Sequence, residues 1–264
     1  MPIKITVLGD DSRLEYLSHE LSNLGYHSDY YSTSRYIGQD NLEIFDCMVF
    51  SMFPQIKSLT QALSFGKKGA LLCAGLPSKD FILTANEHGF SVYDYMADPF
   101  VAMKNAIATA EGALAQAISL SPITLQSSKV LVIGFGRCGE LLALKARQLG
   151  SLVHVCDCSN MAKTHAEALG FHTMHTVKNC KSYSIIFNTA PYLTLTPDLI
   201  DTMEKDVTII DLSSSPGGTD FSYCKQKGIT AKLCPSLPAL YAPKTSGSIL
   251  AHAIHNRLVK LQLT

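Results

Sequence analysis

The chain carries no net charge. Lys+Arg and Asp+Glu balance at 22 each across 264 residues. It also lacks any basic run or stacking-aromatic motif, so nothing in it draws the protein to nucleic acid, and that class of function is set aside. No apolar stretch approaches the roughly twenty residues that span a bilayer, and no membrane segment is expected. The N-terminus, Met1-Pro2-Ile3-Lys4-Ile5-Thr6, reads as a strand and not as a signal peptide, so a soluble cytoplasmic protein is the expectation. None of the eight cysteines forms a CxxC pair, and Cys47, Cys73, Cys156 and Cys234 sit in apolar, strand-like stretches. Buried reduced thiols are therefore expected, not disulfides. Metal-ligand patterns are missing as well: His172 with His175, and His252 with His255, stand three apart without a cysteine or carboxylate pattern to complete a set. No metal is expected.

What the chain does have is a dinucleotide fingerprint in its proper context. Val130-Leu131-Val132-Ile133 is an aliphatic strand that runs straight into Gly134-x-Gly136-x-x-Gly139. Gly134 lets the chain turn sharply out of the strand, Gly136 leaves room for a pyrophosphate, and Gly139 lets the next helix pack closely on the sheet. That helix, roughly Cys138 to Leu149, offers free amide groups and the positive end of its dipole to the anion, with Arg137 beside them. A second strand, Leu152 to Cys156, ends at Asp157, eighteen residues after Gly139. A carboxylate there accepts hydrogen bonds from a ribose diol and repels a 2′-phosphate, and no arginine stands beside it, since Cys158, Ser159 and Asn160 follow. NAD is thus favoured, with NADP the other possibility. Cys158 and Ser159 join Gly134, Gly136, Arg137, Cys138, Gly139 and Asp157 as candidate cofactor residues.

The N-terminal segment repeats this unit in degraded form. Ile5 to Gly9 reads as a strand, Arg13 to Leu24 as a helix and His27 to Tyr31 as a strand, and Gly9 and Gly25 are spaced as Gly134 and Gly150 are. Asp10-Asp11-Ser12 stands where phosphate-binding glycines are needed, so this half is not expected to hold the cofactor. Apolar runs at 47–51, 70–73 and 91–93 continue an alternating β/α pattern. The expected fold class is α/β: two Rossmann-like, doubly wound parallel-sheet domains joined by a long helix, with a C-terminal helix returning to the first. The expected boundaries are 1–100 with 246–264 for a substrate domain, 101–122 for a connecting helix rich in alanine, and 123–245 for the cofactor domain. A cleft closed by the returning helix is expected between the domains.

Strands expected at 185–188, 208–212 and 231–234 end in polar clusters: Asn188-Thr189-Ala190-Pro191, then Asp211 to Asp220, then Pro235-Ser236-Leu237-Pro238. Ligands gather outside the carboxyl ends of such strands, so Asn188, Thr189, Ala190, Pro191, Asp211, Ser213, Leu237 and Pro238 are further cofactor candidates. These clusters, Ser213-Ser214-Ser215-Pro216-Gly217-Gly218-Thr219-Asp220, Ala242-Pro243-Lys244-Thr245-Ser246-Gly247 and Thr109-Ala110-Glu111-Gly112-Ala113 resemble the dipicolinate synthase A chain family over essentially the whole sequence. The resemblance implies the last step of dipicolinate (pyridine-2,6-dicarboxylate) synthesis, the oxidation of a dihydrodipicolinate from the lysine pathway. It also implies sporulation and a flavoprotein-like partner, the B chain of the synthase. It departs at the second strand, where the family pattern has an arginine suited to NADP and this chain has Asp157-Cys158.

Such a reaction needs a ring held against nicotinamide and two carboxylates neutralised. Only five arginines exist: Arg13, Arg35, Arg137, Arg147 and Arg257. The substrate candidates are Lys244 with Thr245, Ser214 and Ser215, the amides around Gly217 and Gly218, and Arg35. No histidine–carboxylate acid/base pair is recognisable, so the catalytic acid or base is left unassigned. The alternative reading is a catalytically weak nucleotide-binding protein that positions substrate for the flavin partner or passes electrons to it. A homo-oligomer is compatible with either.

Overall fold

The computed structural model describes residues 2–33 and 44–261; Arg35 lies outside the described residues. These residues form two compact units. Unit 1 comprises residues up to Asn105 together with Ala242 onward, and unit 2 runs from Ala106 to Tyr241.

In unit 1 five strands form a parallel sheet: β1 (Lys4–Leu8), β2 (His27–Tyr31), β3 (Phe45–Met52), β4 (Gly66–Gly75) and β5 (Ser91–Asp94). Their order is β2-β1-β3-β4-β5, the flavodoxin-like arrangement, with its switch point between β1 and β3. Helices α1 (Ser12–Asn23), α2 (Ile56–Leu63) and α3 (Lys79–Glu87) make the crossovers seen among the described residues. Strand alternation divides the core cleanly. Ile5, Val7, Cys47, Val49, Leu71 and Cys73 face one side, and Leu8, Met48, Phe50, Leu72 and Ala74 face the other.

The first of those faces is covered by α1 and by the C-terminal helix Pro243–Lys260, through Leu250, Ala251, Ile254 and Leu258. Gly247 makes this packing possible: a Cβ there would sit 2.5 Å from the Arg13 carbonyl and 3.0 Å from Leu17 N. At the start of α1, Asp11 accepts from Arg13 N, and its carboxylate holds the Arg13 guanidinium at 2.5 to 3.1 Å. Burial disfavours the charge on Asp11, but the hydrogen bonds and charge of Arg13 outweigh it and hold the carboxyl below its ordinary range. The degraded loop thus satisfies its own helix end. Pro99–Leu120 is one continuous helix, α4, and the boundary between the units falls inside it.

Unit 2 is a six-stranded parallel sheet of β6 (Lys129–Ile133), β7 (Leu152–Cys156), β8 (His172–Met174), β9 (Ile185–Asn188), β10 (Thr208–Asp211) and β11 (Thr230–Leu233). The order β11-β10-β9-β6-β7-β8 is the doubly wound dinucleotide-binding topology, with its switch point between β6 and β9. Its helices are α5 (Arg137–Gln148), α6 (Asn160–Ala168), α7 (Pro197–Ile200), α8 (Phe221–Lys227) and α9 (Leu237–Tyr241), and the C-terminal helix of unit 1 is α10. Ala110, Ala113, Leu114 and Ala117 of α4 pack with Val130, Val132, Ile185 and Phe187 on one face; Leu131, Ile133, Ile186 and Ile209 serve the other.

Two segments differ from expectation. The three-residue edge strand β8 has no apolar run to announce it, and α10 starts at Pro243 instead of Ser246. Proline at the first helical position explains the earlier start, because its fixed φ suits the first turn. All eight cysteines are free thiols. Among the described residues, no helix is long and apolar enough to cross a membrane, and no cluster of ligating side chains fits a metal ion.

Candidate functional site

The carboxyl ends of β6, β7 and β9 converge on the fingerprint loop. Gly134 adopts φ +89°, a left-handed conformation that favours glycine, and its N–H donates to Cys156 O at 2.8 Å. A Cβ on Gly139 would overlap the Gly134 carbonyl, so this residue is required for the tight strand-to-helix turn. Gly136 is different: a Cβ there would meet no protein atom within 4 Å. Packing inside the chain does not demand glycine at this position. The space in front of it is a cradle at the first turn of α5, whose cap residue Gly136 supplies no side-chain hydrogen bond. Phosphate oxygens fit there, against amide donors that have no intrahelical partner.

Around this cradle run two adjoining cavities of the same trough. One, of 390 Å³, is lined by Gly134 through Gly139, Asp157, Cys158 and Thr189 through Tyr192. The other, of 240 Å³, shares Gly134, Asp157, Cys158 and Tyr192 and extends over Val177, Leu193 and Leu199. Asp157 stands where the two meet. Its Oδ2 accepts from Phe135 N at 2.7 Å and its Oδ1 from Ser159 N at 2.8 Å, which fixes the carboxylate at the end of β7. Each carboxylate oxygen has a second lone pair for a ribose hydroxyl. Thr189 donates from its hydroxyl to Ile133 O at 3.0 Å and so ties the β9 loop to the fingerprint strand. The donors, the open cradle and the fixed acceptor fit a dinucleotide. Two thiols beside it, Cys138 and Cys156, are poor nucleophiles: burial raises Cys138 above its ordinary value and pushes Cys156 up to about 11.

The second polar cluster is turned inward. Asp211 is fully buried and receives Ser213 N at 3.0 Å, Ser213 Oγ at 2.5 Å, Thr219 Oγ1 at 2.6 Å, Gly218 N at 2.9 Å and Asn188 Nδ2 at 3.2 Å. Asn188 spends its remaining bonds on Ala190 and Thr194. The amide of Gly217 donates to Ser214 O at 2.9 Å. These contacts revise the expectation from sequence. The side chains of Asn188, Asp211 and Ser213, and the amides of Gly217 and Gly218, are consumed in shaping the loop and do not reach out to a ligand. Ser214 and Ser215 remain exposed at its tip. Leu237 is a core residue of unit 2, packed where a Cβ on Gly112 would meet it at 3.0 Å, and Pro238 follows it in α9. Lys244 and Thr245 belong to unit 1. Both are exposed in the first turn of α10, beside a groove along the body of α1 that Tyr16, His19, Glu20 and Asn23 line.

Sequence reasoning did not find Tyr192. Its hydroxyl lies 3.6 Å from Cys158 Sγ, and it borders both cavities of the trough. The only available signal was its place, one residue beyond Pro191.

Comparison with known proteins bears on this geometry. No protein-family model matches the chain. It is 37% identical over 165 residues, 61% of its length, to the dipicolinate synthase A chain of Bacillus subtilis. Over that segment the chain is similar to a dipicolinate synthase A chain. The match covers little more than half of that relative, 56% of its length. The dipicolinate synthase A chain of Bacillus halodurans superposes with a TM-score of 0.85 at 24% identity, covering 97% of both chains. An L-alanine dehydrogenase superposes with a TM-score of 0.70 at 14% identity, covering 99% of this chain and 90% of that one. The two superpositions show that this chain shares its fold with both proteins.

Proposed function

We propose that the protein is the A chain of a dipicolinate synthase, an NAD-dependent oxidoreductase that converts dihydrodipicolinate to dipicolinate. The observation that carries this reading is the 37% identity to the Bacillus subtilis protein, on a chain whose fingerprint cradle fits a dinucleotide. The conversion removes a hydride from one ring carbon and a proton from its neighbour, and the gain of aromaticity drives it. When bound, the nicotinamide accepts the hydride. The chain's own contribution is positional: Gly134 to Gly139 receive the pyrophosphate, Arg137 faces it, Asp157 holds the adenosine ribose, and Thr189 fixes the loop beside them. Ser214, Ser215, Lys244 and Thr245 are the polar groups proposed for the substrate carboxylates, with Arg35 as a further candidate. The flavoprotein-like B chain of the synthase is the proposed partner, in the cytosol of a sporulating cell.

Asp157 sets the choice of cofactor in this proposal. NAD should bind more tightly than NADP by about 1–3 kcal/mol, the cost of bringing a 2′-phosphate against a fixed carboxylate. Parallel titrations of the two in one buffer test it, and equal affinity or a preference for NADP would remove Asp157 from this role.

A second reading is favoured by the inward-turned cluster at Asp211 and by His175, which shares the 240 Å³ cavity with Asp157 but is hydrogen-bonded to Asn160 Oδ1 at 2.9 Å. In it the chain binds nucleotide and substrate but turns over only with its flavin-binding partner. The purified chain supplied with freshly generated dihydrodipicolinate and NAD, with no flavoprotein present, separates the two readings. Turnover supports the first; its absence, restored by adding the partner, supports the second.

A further inference from the structure

Pro191, Tyr192 and Leu193 stand exposed in succession at the apex of the loop that follows β9, Tyr192 at 55% and Leu193 at 56%. The loop is not slack. Before the apex, Thr189 N and Thr189 Oγ1 both donate to Ile133 O, at 2.8 and 3.0 Å, and Ala190 N donates to Asn188 Oδ1 at 3.3 Å. After it, Thr194 N and Leu195 N both donate to Gly218 O, at 2.8 and 3.0 Å. An apex of three residues is thus held from both ends, and the place of Tyr192 is a property of the fold.

Gly218 links this loop to the buried cluster. Its N–H donates to Asp211 Oδ2 at 2.9 Å, while its carbonyl takes the two loop amides. A side chain is excluded here, since a Cβ on Gly218 would lie 2.6 Å from Tyr192 O. The Asp211 carboxylate, fully buried and turned away from any ligand, therefore acts on the trough at one remove: Asp211 fixes Gly218, and Gly218 fixes the loop that carries Tyr192.

Across the trough, Cys158 is fixed by its neighbours in the chain. Asp157 Oδ1 accepts from Ser159 N at 2.8 Å, and the Ser159 hydroxyl caps α6 by accepting from Ala162 N at 3.3 Å. Tyr192 Oη and Cys158 Sγ meet at 3.6 Å, and both residues line both cavities, as Asp157 does. The contact joins the β7 side of the trough to the β9 side, beside the carboxylate proposed for the ribose. A phenol–thiol contact is weak enough to break and re-form as a ligand passes, and an exposed aromatic ring gains from a ligand that lies against it.

We infer that Tyr192 is a cofactor-retaining residue: with Cys158 it forms a clasp across the trough that closes on the adenosine side of a bound dinucleotide and sets how slowly that ligand leaves. This inference rests on the dinucleotide reading above. NADH is the probe, and its fluorescence follows release in a stopped-flow chase with excess NAD from the parent chain, Tyr192→Ala, Tyr192→Phe, Cys158→Ala and the double variant Tyr192→Phe/Cys158→Ala. Tyr192→Ala should release NADH about tenfold faster, the usual effect of losing an aromatic contact, with an association rate within about twofold of the parent. Tyr192→Phe and Cys158→Ala each remove one side of the phenol–thiol contact. Each should speed release about threefold, and the double variant should be no faster than either alone. All four should melt with the parent, because both side chains are exposed. A release rate unchanged in Tyr192→Ala, unchanged in both of the smaller replacements, or multiplied in the double variant overturns the clasp and leaves the dinucleotide reading standing. A parent chain that binds no NADH overturns that reading, and the clasp with it.

Discussion

Gly136→Val is expected to give a folded protein that no longer binds a dinucleotide. The backbone at this position, φ −83° and ψ −165°, is extended and open to any residue, and a Cβ meets no protein atom within 4 Å. The fold therefore gives no reason for glycine here, and a valine side chain would fill the cradle that a pyrophosphate needs. Far-ultraviolet circular dichroism and the melting temperature should match the parent, while calorimetry with NAD should show no binding. The neighbouring glycines cannot serve for this test. At Gly139 an added Cβ overlaps the Gly134 carbonyl, so a loss of binding there would report a broken turn. A folded Gly136→Val protein with the parent's affinity would show that the dinucleotide, if bound, does not lie against α5.

Asp211→Ala is expected to be the most destabilising single change in unit 2 outside its apolar core. Removing the carboxylate strands the amides of Ser213 and Gly218, the hydroxyls of Ser213 and Thr219 and the Asn188 amide, which all donate to it in a site without water access. Each buried donor left unpaired costs on the order of 1–3 kcal/mol, and partial relaxation of the loop brings the total to about 3–5 kcal/mol. Denaturant unfolding, followed by a probe confined to unit 2, measures this. A loss below about 1 kcal/mol would mean that the loop from 213 to 219 is held by something other than this carboxylate.

The difference between what the sequence revealed and what it hid follows from the kind of signal involved. Strands β6 and β7 and the glycine loop between them were legible because aliphatic runs, the positive φ of Gly134 and the close turn at Gly139 are strictly local requirements. Asp11 was legible too, since an acid beside a helix start has one obvious partner. Asp211 was read as facing a ligand because its position, at the carboxyl end of β10, is where ligands gather. Whether such a carboxylate points outward or is wrapped by its own loop depends on donors up to 23 positions away, such as Asn188 Nδ2, and no spacing rule encodes that. The edge strand β8 was hidden because His172-Thr173-Met174 has neither length nor alternation. Tyr192 was hidden for a related reason. Its place is imposed by tertiary contacts, here those of its loop with Gly218 O and of its hydroxyl with Cys158, and leaves no trace in composition.

The central claim is that this chain moves a hydride from a dihydropyridine dicarboxylate to a dinucleotide bound at the β6/β9 switch point. A single-turnover experiment tests it most directly: excess purified chain is loaded with NAD and mixed with freshly generated dihydrodipicolinate, and NADH and dipicolinate are quantified in the same sample. The account expects the two products to appear together, one for one, in the parent and not in Gly136→Val. Dipicolinate formed without NADH, or formed equally by both proteins, would contradict it.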